Sequence, residues 1–205
     1  VGEFFKLSTL KKSGLGVIVI TLLEACMASV FMFVLTYFAL GLDLAFCAVL
    51  AALALALSYM ESFFPLALIV PLPGVKLGLA NIVTLYALYA LGFPSALAIL
   101  LVRCTLGALF AGNASALLFS LLGGLSALFV MALLSKSKKL SIFGVSIAGA
   151  AAHNCGQVAA AMLTLGSAAP LAYLPFLLLV SVFTGALTGF VATLLFRAMR
   201  HARAK

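Results

Sequence analysis

An all-α, polytopic membrane helix bundle of about seven hydrophobic helices is the fold this sequence predicts, and three observations carry the prediction. Hydrophobic residues make up 66% of the chain and charged residues only 8%, whereas soluble domains run near half and a quarter. The apolar residues fall into runs of about 20, the length that crosses the hydrocarbon of a bilayer. Between the runs stand proline, glycine, asparagine or clustered lysine. Such a surface needs lipid as its solvent.

The elements follow in order. A chain of 205 residues suits one bundle and leaves no room for a soluble catalytic module beside it. The first apolar run, 15–40, outlasts the h-region of a signal peptide and lacks a small-residue cleavage site, so it reads as a helix. A break at 41–43 (Gly-Leu-Asp) leads into a second helix over 44–62. Residues 63–76 are apolar but hold Pro65, Pro71 and Pro73. A loop packed against protein at the membrane surface suits them, because lipid-exposed irregular backbone would be unsatisfied. A short third span over 77–92 is tilted or partly re-entrant. Turn chemistry then separates helices at 95–112, 115–134, 142–165 and 172–197. The turns are Gly92-Phe93-Pro94, Gly112-Asn113, the segment 135–141 and the segment 166–170.

The formal net charge of +8 does not point to nucleic acid, because its placement is that of a topology signal. Lys6, Lys11 and Lys12 precede the first span, Lys136, Lys138 and Lys139 share one loop, and Arg197, Arg200, Arg203 and Lys205 form the tail. Basic clusters at span ends mark the cytoplasmic side and meet lipid headgroups. The 136–139 loop and the C-terminus hold the larger share, so both are expected in the cytoplasm of a multi-pass cell (cytoplasmic) membrane protein. A seven-span count then leaves the three N-terminal lysines outside. That conflict is resolved by reading 1–43 as an appendage, a basic tail with one extra transmembrane helix, on a six-helix domain at 44–205. Cys26, Cys47, Cys104 and Cys155 lie scattered in apolar runs, which reads as small buried hydrophobes, not a metal site or disulfide framework.

Ionisable residues inside a bilayer are costly and mark function by default. With this orientation Glu61 ends the second span on the outer side, Lys76 lies in the outer loop and Asn81 begins the next span. Arg103 and His153 fall near mid-membrane. His153 and Gln157 share a helix face at i, i+4 spacing, with Asn154 beside them. Polar side chains thus gather in the outer half, as a pocket open to the outside would require. Duller readings stand beside this one: Glu61 and Lys76 as interfacial groups, Arg103 as a bundle strut bonded to a helix carbonyl or Glu61, His153 bonded to a neighbouring helix. Glu24 and Asp43 receive no role. Ala48, Ala52 and Ala56 form a small-residue stripe that lets another helix approach closely. Gly144, Ala148 and Ala152 make a second stripe, and Gly185 with Gly189 a third. Internal packing explains most such stripes, and docking to a partner is the second reading for the first of them.

The runs Ala-Leu-Ser-Tyr-Met-Glu-Ser (56–62) and Pro-Gly-Val-Lys-Leu-Gly-Leu-Ala-Asn-Ile-Val-Thr-Leu (73–85) resemble the heptaprenyl diphosphate synthase component I proteins, also called the Gx transporter family. Arg103, Ser-Leu-Leu-Gly-Gly-Leu (120–125) and Gly-Ala-Ala-Ala-His-Asn-Cys-Gly-Gln (149–157) extend the resemblance over 44–197, and 1–43 lies outside it. That family is similar to the S components of energy-coupling factor (ECF) transporters, six-helix proteins that capture a micronutrient from outside. The resemblance implies a partner-docking stripe at Ala48, Ala52 and Ala56 for the ECF coupling subunit, which two ATPases drive. It also implies a substrate pocket drawn from Glu61, Lys76, Asn81, Arg103, His153, Asn154 and Gln157.

The enzyme label sits badly with the chemistry. Holding a diphosphate through magnesium takes clustered carboxylates. This chain has four acids, none adjacent, and no phosphate-cradling Gly-x-x-x-x-Gly-Lys-Ser/Thr loop. The expectation is therefore a non-catalytic, substrate-binding subunit with no metal and no cofactor, surrounded by membrane lipids. A membrane accessory subunit of isoprenoid or quinone metabolism, or of an envelope redox chain, is the alternative. A co-purifying water-soluble molecule favours the first and a prenyl lipid the second. A secondary transporter working alone usually carries paired acids for ion coupling, and Glu61 is the only one in the core.

Overall fold

The computed structural model describes residues 44–61, 78–111, 114–137 and 139–203. The expected N-terminal helix at 15–40 and the loop at 63–76 lie outside the described residues. Six α-helices and no strand occur among those described: α1 (Leu44–Glu61), α2 (Asn81–Ala90), α3 (Phe93–Ala111), α4 (Ala114–Leu134), α5 (Ile142–Leu165) and α6 (Leu174–Arg203). A 3₁₀ turn, Ala169–Tyr173, leads into α6.

The helix ends follow local chemistry. Ser141 caps α5: its backbone is extended, and its hydroxyl accepts the Gly144 N–H at 3.2 Å, satisfying one of the donors a helix start leaves open. Gly166 closes the same helix in the left-handed region at φ 59°, the usual C-terminal use of glycine. Gly92, at φ 92°, makes the turn between α2 and α3 together with Leu91. Pro94 was expected in that break and instead lies in the first turn of α3, where its missing N–H has no partner to lose. Similarly, Pro170 sits within the 3₁₀ turn, so the last helix begins at Leu174.

α3, α4 and the last segment, at Phe93–Phe110, Ser115–Leu134 and Ala169–Ala198, are long and apolar enough to cross a membrane. Large apolar side chains such as Phe110, Phe129 and Phe183 stand out from their surface. Exposed aromatic area on this scale is covered by lipid in a membrane protein. α5 is 24 residues long, but Ser146, His153, Asn154 and Gln157 dilute its apolar character. All four are buried, so the bundle shields them from hydrocarbon.

α5 runs between α4 and α6 and packs extensively on both, while α3 lies against α1, α2 and α4. Glycine sets the α5–α6 distance. A Cβ on Gly185 would lie 2.5 Å from Ile147 Cα, and one on Gly189 would lie 3.2 Å from Phe143 Cα. For this stripe internal packing is what the structure shows. The alanine stripe on α1 differs: Ala48, Ala52 and Ala56 are exposed, while Cys47, Leu50, Ala51 and Ala54 on the opposite side are buried.

The span expected over 77–92 is a half-length helix. α2 has ten residues, about 15 Å at 1.5 Å per residue, against roughly 30 Å of hydrocarbon. Every residue from Asn81 through Leu88 is buried, and α2 touches α1, α3, α4 and α6. Its first eight residues therefore pack against protein all round, while Tyr89 and Ala90 at its C-terminal end are exposed, so one of its ends lies inside the bundle.

Candidate functional site

The end inside the bundle is the N-terminus of α2. Gly78, three residues before Asn81, has φ 84°, and its carbonyl accepts the Asn81 N–H at 2.9 Å to start the helix. A side chain at 78 would collide with Asn81 Nδ2 at 2.9 Å and with His153 Cδ2 at 3.1 Å. Only glycine provides both the left-handed backbone and the open space here. The Gly78 N–H donates in turn to the Glu61 carboxylate. The last residue of α1 is thereby tied to the turn that opens α2.

Two mid-helix residues meet this turn, and a third is bonded to one of them. Arg103, near the middle of α3, donates from Nη2 to Asn81 Oδ1 at 3.3 Å. It is only 6% exposed, and its Nε has no hydrogen-bond partner. His153, near the middle of α5, lies against Gly78 on one side and Gly123 of α4 on the other. A Cβ on Gly123 would approach His153 Cε1 to 2.9 Å and Gln157 Cγ to 3.1 Å. Gly124 similarly leaves room for the guanidinium, since a Cβ there would come within 3.3 Å of Arg103 Nη2. Gln157 Nε2 and His153 Nε2 are hydrogen-bonded at 3.0 Å.

Glu61, Asn81, Arg103, His153 and Gln157 thus converge from four helices, and all are buried. Asn81 lies deeper than the entrance of a span, level with Arg103 in the middle of α3. Asn154 is buried too, but its amide donates to the Leu177 carbonyl at 2.7 Å. It joins α5 to α6 and is not hydrogen-bonded to the other five. Lys76 lies outside the described residues. Of the cysteines within the described residues, Cys47 and Cys104 are buried as expected and Cys155 is exposed.

Chemically, the cluster combines one carboxylate, one guanidinium, an imidazole and two carboxamides in a water-poor interior. Such groups can orient a small polar molecule through directed donors and acceptors. Gly78, Gly123 and Gly124, which let the backbone close around them, stand in the sequence inside the motifs at 73–85 and 120–125 but received no role of their own there. For two of them the local signal is a Gly-Gly pair in the middle of an otherwise apolar helix.

A family model described as heptaprenyl diphosphate synthase component I matches residues 50–195. Comparison with curated proteins and with solved structures found no match.

Proposed function

The chain belongs to the heptaprenyl diphosphate synthase component I family, and from that membership and the buried polar cluster we propose that it is the substrate-binding subunit of an ECF-type micronutrient transporter in the cytoplasmic membrane. One observation carries the reading: five polar residues from α1, α2, α3 and α5 converge inside an apolar bundle. Burying this many polar groups is expensive unless they meet partners or a ligand. The ligand is small and polar or anionic, enters from outside and is held by Glu61, Asn81, Arg103, His153 and Gln157, with Lys76 a further candidate from the sequence. The exposed face at Ala48, Ala52 and Ala56 docks a coupling subunit, whose ATPases supply the energy, and the chain itself catalyses nothing.

The family description supports a second reading, an accessory subunit that binds a prenyl chain or scaffolds a prenyl synthase. The two readings part in one experiment: mass spectrometry of small molecules released from protein purified in mild detergent, with Arg103→Ala as control. A water-soluble compound lost in the variant supports the receptor. A prenyl lipid retained in the variant supports the accessory subunit and removes the receptor.

A further inference from the structure

Resting on the receptor reading and sharpening it, we propose that the N-terminus of α2 and Arg103 form a carboxylate-binding site at mid-depth in the bundle, taking the single carboxylate of a small ligand. Two independent observations meet there. The first is the break in the membrane-spanning pattern. α2 is ten residues long and surrounded by four helices, so the positive end of its dipole lies in a low-dielectric interior. In water that end is screened, but here its field persists and favours an anion. Discontinuous helices that aim their N-termini at anionic groups near the midplane are a known device of membrane transport proteins.

The second is the state of Arg103. Arg103 is only 6% exposed. Nε has no hydrogen-bond partner, and Nη2 makes only a long 3.3 Å bond to the side chain of Asn81, the first residue of α2. Nε and Nη2 lie on the same edge of the guanidinium. That edge is the fork that receives two carboxylate oxygens side by side. Here it is half used, and what uses it is a neutral amide that a carboxylate would displace.

The charge balance selects a single negative charge. Glu61 is the sole acid among the described residues, and its carboxylate accepts the Gly78 N–H. Against it in the cluster stand one full positive charge on Arg103, which is bonded to the first residue of α2, and roughly half a charge at the α2 N-terminus. The excess is about half a positive charge, and one bound carboxylate keeps the cluster within about half a charge of neutral. A diphosphate, with two or three negative charges beside Glu61, would be overcompensated.

The test uses the full chain in detergent at constant ionic strength, with simple anions as probes. Replacing chloride by acetate raises the melting temperature by about 2–4 °C if the site is occupied well above its Kd. Arg103→Gln abolishes that rise, and Arg103→Lys, which keeps the charge but loses the fork, weakens it. Asn81→Asp supplies a tethered carboxylate at the same edge. It raises the melting temperature in chloride and removes the response to acetate, which keeps the test decisive even where Arg103→Gln fails to fold. No acetate response in the unmodified chain overturns the site, as does a response retained in both Arg103→Gln and Asn81→Asp. A larger response to pyrophosphate than to acetate overturns the carboxylate assignment. A neutral water-soluble ligand that co-purifies and is held without Arg103 overturns this site and leaves the receptor reading standing.

Discussion

Arg103 Nη2 donates to Asn81 Oδ1 across 3.3 Å, joining the middle of one membrane helix to the first residue of another that covers only half the bilayer. The bond places the start of α2 at the level of Arg103 and brings Asn81 into the polar cluster. Replacing Asn81 with Ala leaves a buried guanidinium without this acceptor. The expected loss is about 1.5–3 kcal/mol, the range for hydrogen bonds to charged groups. Thermal unfolding in detergent measures it, and an unchanged melting temperature would show that the bond is not formed.

Gly123 and Gly166 are both glycines, yet substitution by Ala should affect them differently. A Cβ at 123 would press on the His153 ring, at 2.9 Å from Cε1. Gly123→Ala should therefore lower the affinity for a co-purifying ligand by about tenfold or more, equivalent to about 1.4 kcal/mol. At Gly166 nothing lies within 4 Å of the added atom, and only the left-handed backbone resists. There the cost should be about 1–2 kcal/mol of stability, with ligand affinity unchanged. Equal binding in the two variants would count against a role for the His153 face.

Gly185→Ala tests the close approach of α5 and α6. The new Cβ would stand 2.5 Å from Ile147 Cα, and backbone cannot rotate aside as a side chain can. The helices must separate, at about 1–3 kcal/mol for an overpacked contact. Cysteine cross-linking between the two helices would report the displacement, and a native-like cross-linking pattern would contradict it.

Asn154 should behave differently from its neighbours His153 and Gln157. Its bond to the Leu177 carbonyl is an interhelical strut, and in membranes such bonds average about 0.6 kcal/mol and reach about 1.7. Asn154→Ala is expected to reduce stability by that amount while ligand retention persists. His153→Ala and Glu61→Ala are expected to lose ligand with the bundle still folded. Loss of ligand in Asn154→Ala alone would reverse the division of roles.

Ala52→Leu adds bulk to the exposed face of α1 without touching the polar cluster. Pull-down with an ECF coupling subunit should fall by about tenfold, equivalent to about 1.4 kcal/mol, and ligand affinity should hold. Co-purification of an undiminished complex would remove the docking face.

Helix positions were legible because bilayer length and turn chemistry act locally. Ser141 and Gly166 bound α5 where a capping hydroxyl and a left-handed glycine are expected. The Gly92 turn was legible for the same reason, whereas Pro94 misled by one step because proline is equally at home in a break and in the first turn of a helix. The polar candidates were also legible as types, since Glu61, Arg103, His153 and Gln157 are rare residues in apolar runs.

What the sequence alone determined is the solvent, the approximate helix boundaries and the short list of costly side chains, because each follows from hydrophobicity and near-neighbour spacing. Only the tertiary structure decided which of those side chains meet. It drew Asn81 to mid-bundle by making α2 half-length, sent Asn154 to the Leu177 carbonyl, and exposed the part played by Gly78, Gly123 and Gly124. Those outcomes depend on distances between segments far apart in the chain. Hydropathy is blind to such distances, because a glycine that admits an imidazole and one that merely ends a helix contribute the same letter.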